Sequence, residues 1–146
     1  MKHLTTKNEK QTLAFARRVA RQLKGGDLLL LQGELGAGKT TFVRGLARAL
    51  GIKSRIKSPT FTLMHIHRIL NSEFRIQNFV HCDAYRIKDA RALEDIGLMD
   101  YLGRPDTVVV VEWGEKIKTP LKGKKHFVIT FHHGKEPNER IVSSNF

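Results

Sequence analysis

The sequence predicts a single α/β domain with a mixed central sheet flanked by helices, parallel around one glycine-rich loop and antiparallel elsewhere. Three observations predict it. A short apolar run, "DLLLLQG" (27–33), leads into "ELGAGKTTF" and then into an amphipathic stretch, the order strand, loop, helix. A second unbroken apolar run, "DTVVVVEW" (106–113), resembles the first, as expected of strands buried on both faces. The remaining segments alternate in polarity and are separated by turn residues, which suits hairpins. A chain of 146 residues fits one domain, 1–146, with a sizeable core.

The elements follow in order. Residues 6–24 read as a helix: Thr6 and Glu9 have capping-box spacing, and Leu13, Ala16, Val19, Ala20 and Leu23 recur at helical spacing. Gly25 and Gly26 stop it. After the first strand and the loop, "TTFVRGLARAL" (40–50) reads as a helix closed by Gly51. "SPTFTLMHIHRI" begins as a turn and becomes a strand, "NSEF" is a turn, and "RIQNFVHCDAYRI" is the strand that completes a hairpin. "DARALEDIGLMDYL" reads as one or two short helices punctuated by Gly97. "GEKI" opens a helical turn that Pro120 stops, and "KKHFVITFHH" and "ERIVSSN" are two last strands joined by "GKEPN". There is no internal repeat and no interdomain linker.

The polar opening "MKHLTTKNEKQ" lacks the apolar centre of a signal peptide, and no run approaches the roughly 20 apolar residues of a membrane span. A cytoplasmic protein without a membrane partner is expected. Cys82 is the only cysteine, so an intramolecular disulfide and a cysteine zinc cage are excluded, and it reads as a small strand residue rather than a catalytic thiol. Lys and Arg number 26 against 14 Asp and Glu, a formal charge of +12. Polyanions are therefore expected partners: RNA, nucleotides or an acidic protein surface.

Gly33, Gly36, Gly38, Lys39 and Thr40 satisfy G-x-x-x-x-G-K-[ST] between a strand and a helix, the context of a P-loop NTPase-like domain. Glycines let successive N–H groups turn toward phosphate oxygens, and the helix N-terminus adds its positive end. Lys39 is expected on the β- and γ-phosphates, the Thr40 hydroxyl on Mg²⁺, and Thr41 near the α-phosphate. The loop therefore predicts ATP-type nucleotide binding with Mg²⁺. Hydrolysis needs a further acidic group at the metal or its water. Glu112, directly after four valines, and Asp83 in "HCDAYR" are the candidates, each at a strand end. Either could orient the attacking water. Thr60 in "SPTF", behind the stiff Pro59, is a candidate switch threonine at the γ-phosphate. His65, His67, His81, His126, His132 and His133 show no zinc-binding helical pair and read as surface residues.

Taken together, "GELGAGKTTFVRGLARALG", "KSPTFTL", "HCDAYRI", "LEDIGLMDYL" and "VVVVEWGEKI" resemble the TsaE (YjeE) family in order and spacing, over roughly residues 9–120. The resemblance implies an Mg²⁺-dependent ATPase of bacterial tRNA threonylcarbamoyladenosine (t6A) biosynthesis, weak alone, that supports turnover of the TsaD and TsaB transferase proteins, with tRNA contact in the assembled complex. It implies a phosphate loop at Gly36, Ala37, Gly38, Lys39, Thr40 and Thr41, and a magnesium pair at Thr40 and Glu112. It further implies a hydrolytic Asp83, auxiliary roles for Thr60, Tyr85 and Trp113, and a nucleotide contact from Thr12. Two departures stand out: His65 where many relatives carry an acid, and Gly114 where proline is frequent, the latter implying a looser turn beside Trp113. Two other readings of the loop remain. A small-molecule kinase would use Asp83 as base and Arg86, Arg91 or Arg104 as lid. A nucleotide-dependent RNA-binding switch would use the basic charge.

Overall fold

The computed structural model describes residues 1–59, 61–70, 75–117 and 121–146. Thr60, the turn "NSEF" and the stop at Pro120 lie outside them. The elements run β1 (Lys2–Thr6), α1 (Glu9–Ala20), β2 (Leu28–Gly33), α2 (Lys39–Ala49), β3 (Met64–Arg68), β4 (Asn78–Asp83), α3 (Ala90–Asp95), a 3₁₀ turn (Leu98–Tyr101), β5 (Thr107–Glu112), a second 3₁₀ turn (Gly114–Ile117), β6 (Phe127–His133) and β7 (Arg140–Ser144). Among the described residues the strands form one seven-stranded sheet in the order β1-β7-β6-β2-β5-β4-β3. The pairs β6–β2, β2–β5 and β5–β4 are parallel; β1–β7, β7–β6 and β4–β3 are antiparallel. The mixed sheet is the one the sequence predicts, with its parallel part centred on the strand that enters the loop.

The apolar runs sit where both faces of the sheet are covered. In β2, Leu29 and Leu31 face the layer made by α1 and α2, packing with Val19, Phe42, Leu46, Val108, Val110 and Phe131. Leu28 and Leu30 face the other way, with Val80, Cys82, Val109, Val111, Leu93, Leu98 and Ile117. A strand buried on both faces needs no alternation, which is why "LLLL" and "VVVV" are unbroken. Burying each such side chain stabilises the fold by about 1.5–3 kcal/mol relative to exposure.

The N-terminus differs from expectation. Residues 2–6 form an edge strand against β7, with Lys2 opposite Ser144 and Thr6 opposite Arg140. Thr6 therefore ends a strand rather than capping a helix. The cap is Asn8, whose side chain accepts from the Gln11 amide at 3.0 Å, while the Gln11 side chain accepts from the Lys7 amide at 2.8 Å. The reciprocal capping logic holds two residues further on, with Asn and Gln in place of Thr and Glu. Helix α1 also ends earlier, at Ala20.

Gly114 is not a loose joint. A Cβ placed on it would meet the Leu30 Cβ at 2.6 Å, so the turn after Trp113 is packed directly on β2.

Candidate functional site

Parallel topology brings the C-terminal ends of β2, β5 and β4 side by side. Glu112 is in register with Leu31 of β2 and with Asp83 of β4, so both carboxylates stand next to the loop that leaves β2. Ligands of open α/β sheets bind at this edge. A cavity of about 490 Å³ opens there, lined by Leu35 to Thr41, Ser58, Asp83, Tyr85, Glu112 and Trp113.

The loop's shape follows from its glycines at two points. Gly38 caps α2 with φ 103°, in the left-handed region, and offers no side-chain hydrogen bond. The first-turn amides of α2 are thereby left for an anion. Gly33 has φ 128°, and a Cβ there would meet the Phe131 carbonyl oxygen at 2.2 Å, so only glycine passes between β2 and β6. From outside, two residues of the last hairpin hold the loop. Arg140 donates to the Gly36 carbonyl at 3.1 Å and to the Pro137 and Glu139 carbonyls at 2.8 Å each. The His133 ring lies 3.2 Å from the Leu35 carbonyl oxygen.

Lys39 is 4% exposed. Its ammonium donates to the Gly33 carbonyl and, at 2.9 Å, to the Glu34 carbonyl, and lies 4.0 Å from the centre of the Trp113 ring. Burial lowers its pKa from the ordinary 10.5, opposed by the carboxylates of Glu112, Glu115 and Asp83. Trp113 has φ 60°, a left-handed conformation that costs a non-glycine residue about 1–3 kcal/mol. Its ring also packs against that of Tyr85, with centroids 5.0 Å apart and the planes tilted by 53°.

The Thr40 hydroxyl lies 3.1 and 2.9 Å from the two oxygens of Glu112. Asp83 is 5% exposed and held at both oxygens, by the Tyr85 amide at 2.8 Å and the Ser58 hydroxyl at 2.9 Å. The Arg86 guanidinium lies over the Phe61 ring at 5.2 Å. The Thr41 hydroxyl accepts from Arg44 at 3.0 Å at the cavity wall. Thr12 is buried; its hydroxyl lies 3.0 Å from that of Thr6, and it does not line the cavity. Thr60 falls outside the described residues. Cys82, directly before Asp83, has its thiol pushed up to about 12, first by burial and then by the Asp83 and Glu112 carboxylates, so it stays protonated.

One expectation about the histidines is overturned. His81 is fully buried, and its Nε2 lies 2.7 Å from Glu112 Oε1. A lone histidine in an alternating strand reads as a surface residue, but β4 lies between β3 and β5, and residue 81 stands on the same face as Phe79, which is buried in the core layer that includes α1 and α2. Its position two residues before Asp83, on the same strand face, was the available signal. Ser58 and Arg140 were also missed, since each acts through a partner far along the chain.

The donor set suits magnesium. Thr40 and Glu112 offer a hydroxyl and a carboxylate, hard oxygen donors at the cavity wall. Among the described residues no group of three or more His, Cys, Asp or Glu side chains forms an all-protein metal cage. Magnesium is commonly held by one or two protein oxygens together with substrate phosphates.

A strand, a glycine loop around a buried lysine, and a threonine–carboxylate pair at the next parallel strand define a P-loop NTPase domain. The sequence profile of the family described as threonylcarbamoyl adenosine biosynthesis protein TsaE matches residues 6–142, and the chain belongs to that family. Its relatives include the tRNA threonylcarbamoyladenosine biosynthesis protein TsaE of Streptomyces coelicolor, 46% identical over 69% of this chain and 66% of that protein. The protein of the same name from Bacillus subtilis is 37% identical over 92% of this chain and 80% of its own length. The crystal structure of Bacillus subtilis YdiB superposes with a TM-score of 0.67 at 34% identity, covering 97% of this chain and 83% of that one. No helix among the described residues is long and apolar enough to cross a membrane.

Proposed function

We propose that this chain binds ATP with Mg²⁺ and hydrolyses it as the ATPase component of t6A modification, supporting turnover of the TsaD and TsaB transferase proteins. The observation that carries the reading is the convergence of Lys39, Thr40, Glu112 and Asp83 on one cavity at the ends of adjacent parallel strands.

The chain's own residues divide the work. Lys39 leaves the Gly33 and Glu34 carbonyls to neutralise the outer phosphates, while the loop amides and the α2 N-terminus hold the remaining oxygens. Thr40 and Glu112 would hold the metal, which supplies charge neutralisation at the phosphates when bound. Asp83 is anchored by Ser58 and the Tyr85 amide and is free of the Thr40–Glu112 pair, so it orients the attacking water. Tyr85 and Trp113 wall the cavity beside it. The three arginines offered as a kinase lid, Arg86, Arg91 and Arg104, do not line the cavity, which disfavours the kinase reading.

The test is phosphate release from ATP, measured alone, with TsaD–TsaB, and with tRNA added. Turnover should be slow alone and rise with the partner proteins. Stimulated release that survives both Lys39→Ala and Glu112→Ala would overturn the site. Binding to tRNA alone that weakens steeply with salt would show that the basic surface contacts RNA directly.

A further inference from the structure

We infer that His81 is a positioning residue for the metal-holding carboxylate: its Nε2–H fixes Glu112 against the Thr40 hydroxyl, in the orientation that receives the divalent cation brought by the nucleotide. The inference rests on Glu112 as a magnesium-holding group and extends that reading to what holds Glu112 itself.

His81 is fully buried, and Glu112 is 3% exposed, where it meets the cavity. A buried carboxylate needs donors at both oxygens, or it turns toward whatever polar group is near. Thr40 reaches both oxygens, at 3.1 and 2.9 Å, but from one side only. His81 supplies the second anchor, 2.7 Å from Oε1. Because a carboxylate only accepts, the hydrogen of this bond belongs to Nε2, and the assignment holds for the neutral and the charged ring alike.

The imidazole is itself well held. Residue 81 pairs with His65 on β3 and with Val110 on β5, so its backbone lies inside the sheet. Its other nitrogen, Nδ1, is buried and makes no hydrogen bond among the described residues. A side chain serving only to fill this space would be apolar and leave nothing unpaired. Among the described residues the bond to Glu112 is the one hydrogen bond the imidazole makes, so its polar character is spent there. Removing a group that orients a metal-binding side chain in this way typically costs about 10- to 100-fold in metal affinity or activity.

The substitutions His81→Gln, His81→Asn and His81→Leu separate a donor from a filler. The Gln amide nitrogen reaches the place of Nε2; Asn and Leu put no donor there. The readout is Mg²⁺ affinity of the ADP-loaded protein by calorimetric titration. ADP binding in excess chelator serves as the metal-free control, and the thermal midpoint as the check on folding. His81→Leu and His81→Asn should weaken Mg²⁺ binding about tenfold, and His81→Gln should stay within about threefold of the parent. ADP binding in chelator should be the same in all. Unchanged Mg²⁺ affinity in His81→Asn, or equal losses in His81→Gln and His81→Asn, would overturn the inference, as would a parallel loss of ADP binding in chelator. Should His81→Leu fail to fold, the Gln and Asn pair decides alone. Glu112→Gln distinguishes the two levels. If it leaves Mg²⁺ affinity intact, the reading of Glu112 fails. If it weakens binding while His81→Asn does not, only the role of His81 fails.

Discussion

The Thr40 hydroxyl lies 2.9 Å from Glu112 Oε2, tying the first turn of α2 to the end of β5 across 72 residues of sequence. The bond fixes two oxygen donors at one point of the cavity before any ligand arrives. Thr40→Val keeps the shape and removes the hydroxyl. We expect partner-stimulated phosphate release to fall on the order of a hundredfold, the usual loss when one preorganised group at developing charge is removed. ATP binding measured in chelator should change little, and a steady-state assay beside a binding titration separates the two.

Arg140 holds the loop from outside through the Gly36 carbonyl. Arg140→Ala frees that carbonyl and should let the loop wander. An exposed bond of this kind contributes at most about 1 kcal/mol, so ADP affinity should weaken by up to about fivefold. Calorimetry on the variant, with Arg140→Lys alongside, checks it; the lysine, lacking the guanidinium fork, should rescue only in part.

His67 sets a pH dependence of stability. Burial lowers its pKa below the ordinary 6.5, and His81 and His65 lower it further. Between that lowered value and 6.5 the unfolded chain binds a proton that the folded chain refuses. Stability therefore falls as pH falls through this window and regains its full value above it. Urea midpoints measured from pH 7.5 downward should show the slope, and His67→Gln should flatten it.

Cys82 should resist alkylation. With its thiol pushed up to about 12 and its side chain fully buried, almost no thiolate is present at neutral pH. Iodoacetamide should label the native protein at the rate of its opening and label the urea-unfolded chain fast. Mass spectrometry under the two conditions distinguishes them.

Gly114→Ala tests the packing of the turn after Trp113. The added methyl would meet the Leu30 Cβ at 2.6 Å, and forced overpacking typically costs about 1–3 kcal/mol. A thermal midpoint lowered by several degrees is expected, with ADP affinity weakened as Trp113 shifts.

The parallel centre of the sheet and the loop were legible in the sequence because their signals are local. "LLLL" and "VVVV" announce burial on two faces, and the glycine, lysine and threonine spacing sits within eight residues. Glu112 was legible because a carboxylate after four valines needs a reason. Strand β1 was not, since an edge strand with exposed polar residues carries no pattern, and its partner β7 lies at the other end of the chain. His81 was hidden for the opposite reason. Its burial is decided by β3, β5 and the core layer on that face of the sheet, and no property of residues 79–83 alone reports them. Arg140 reaches the loop across 104 residues, a contact that only the folded sheet creates.

Trp113 is the only tryptophan in the chain, and its indole lies 4.0 Å from the Lys39 ammonium. The protein thus carries a single native fluorophore beside the charge that must move when phosphates enter. Emission excited at the red edge of the absorption band reports this one ring, free of the tyrosines. Departure of the ammonium should change its intensity and wavelength, so occupancy of the loop is readable without label or dye.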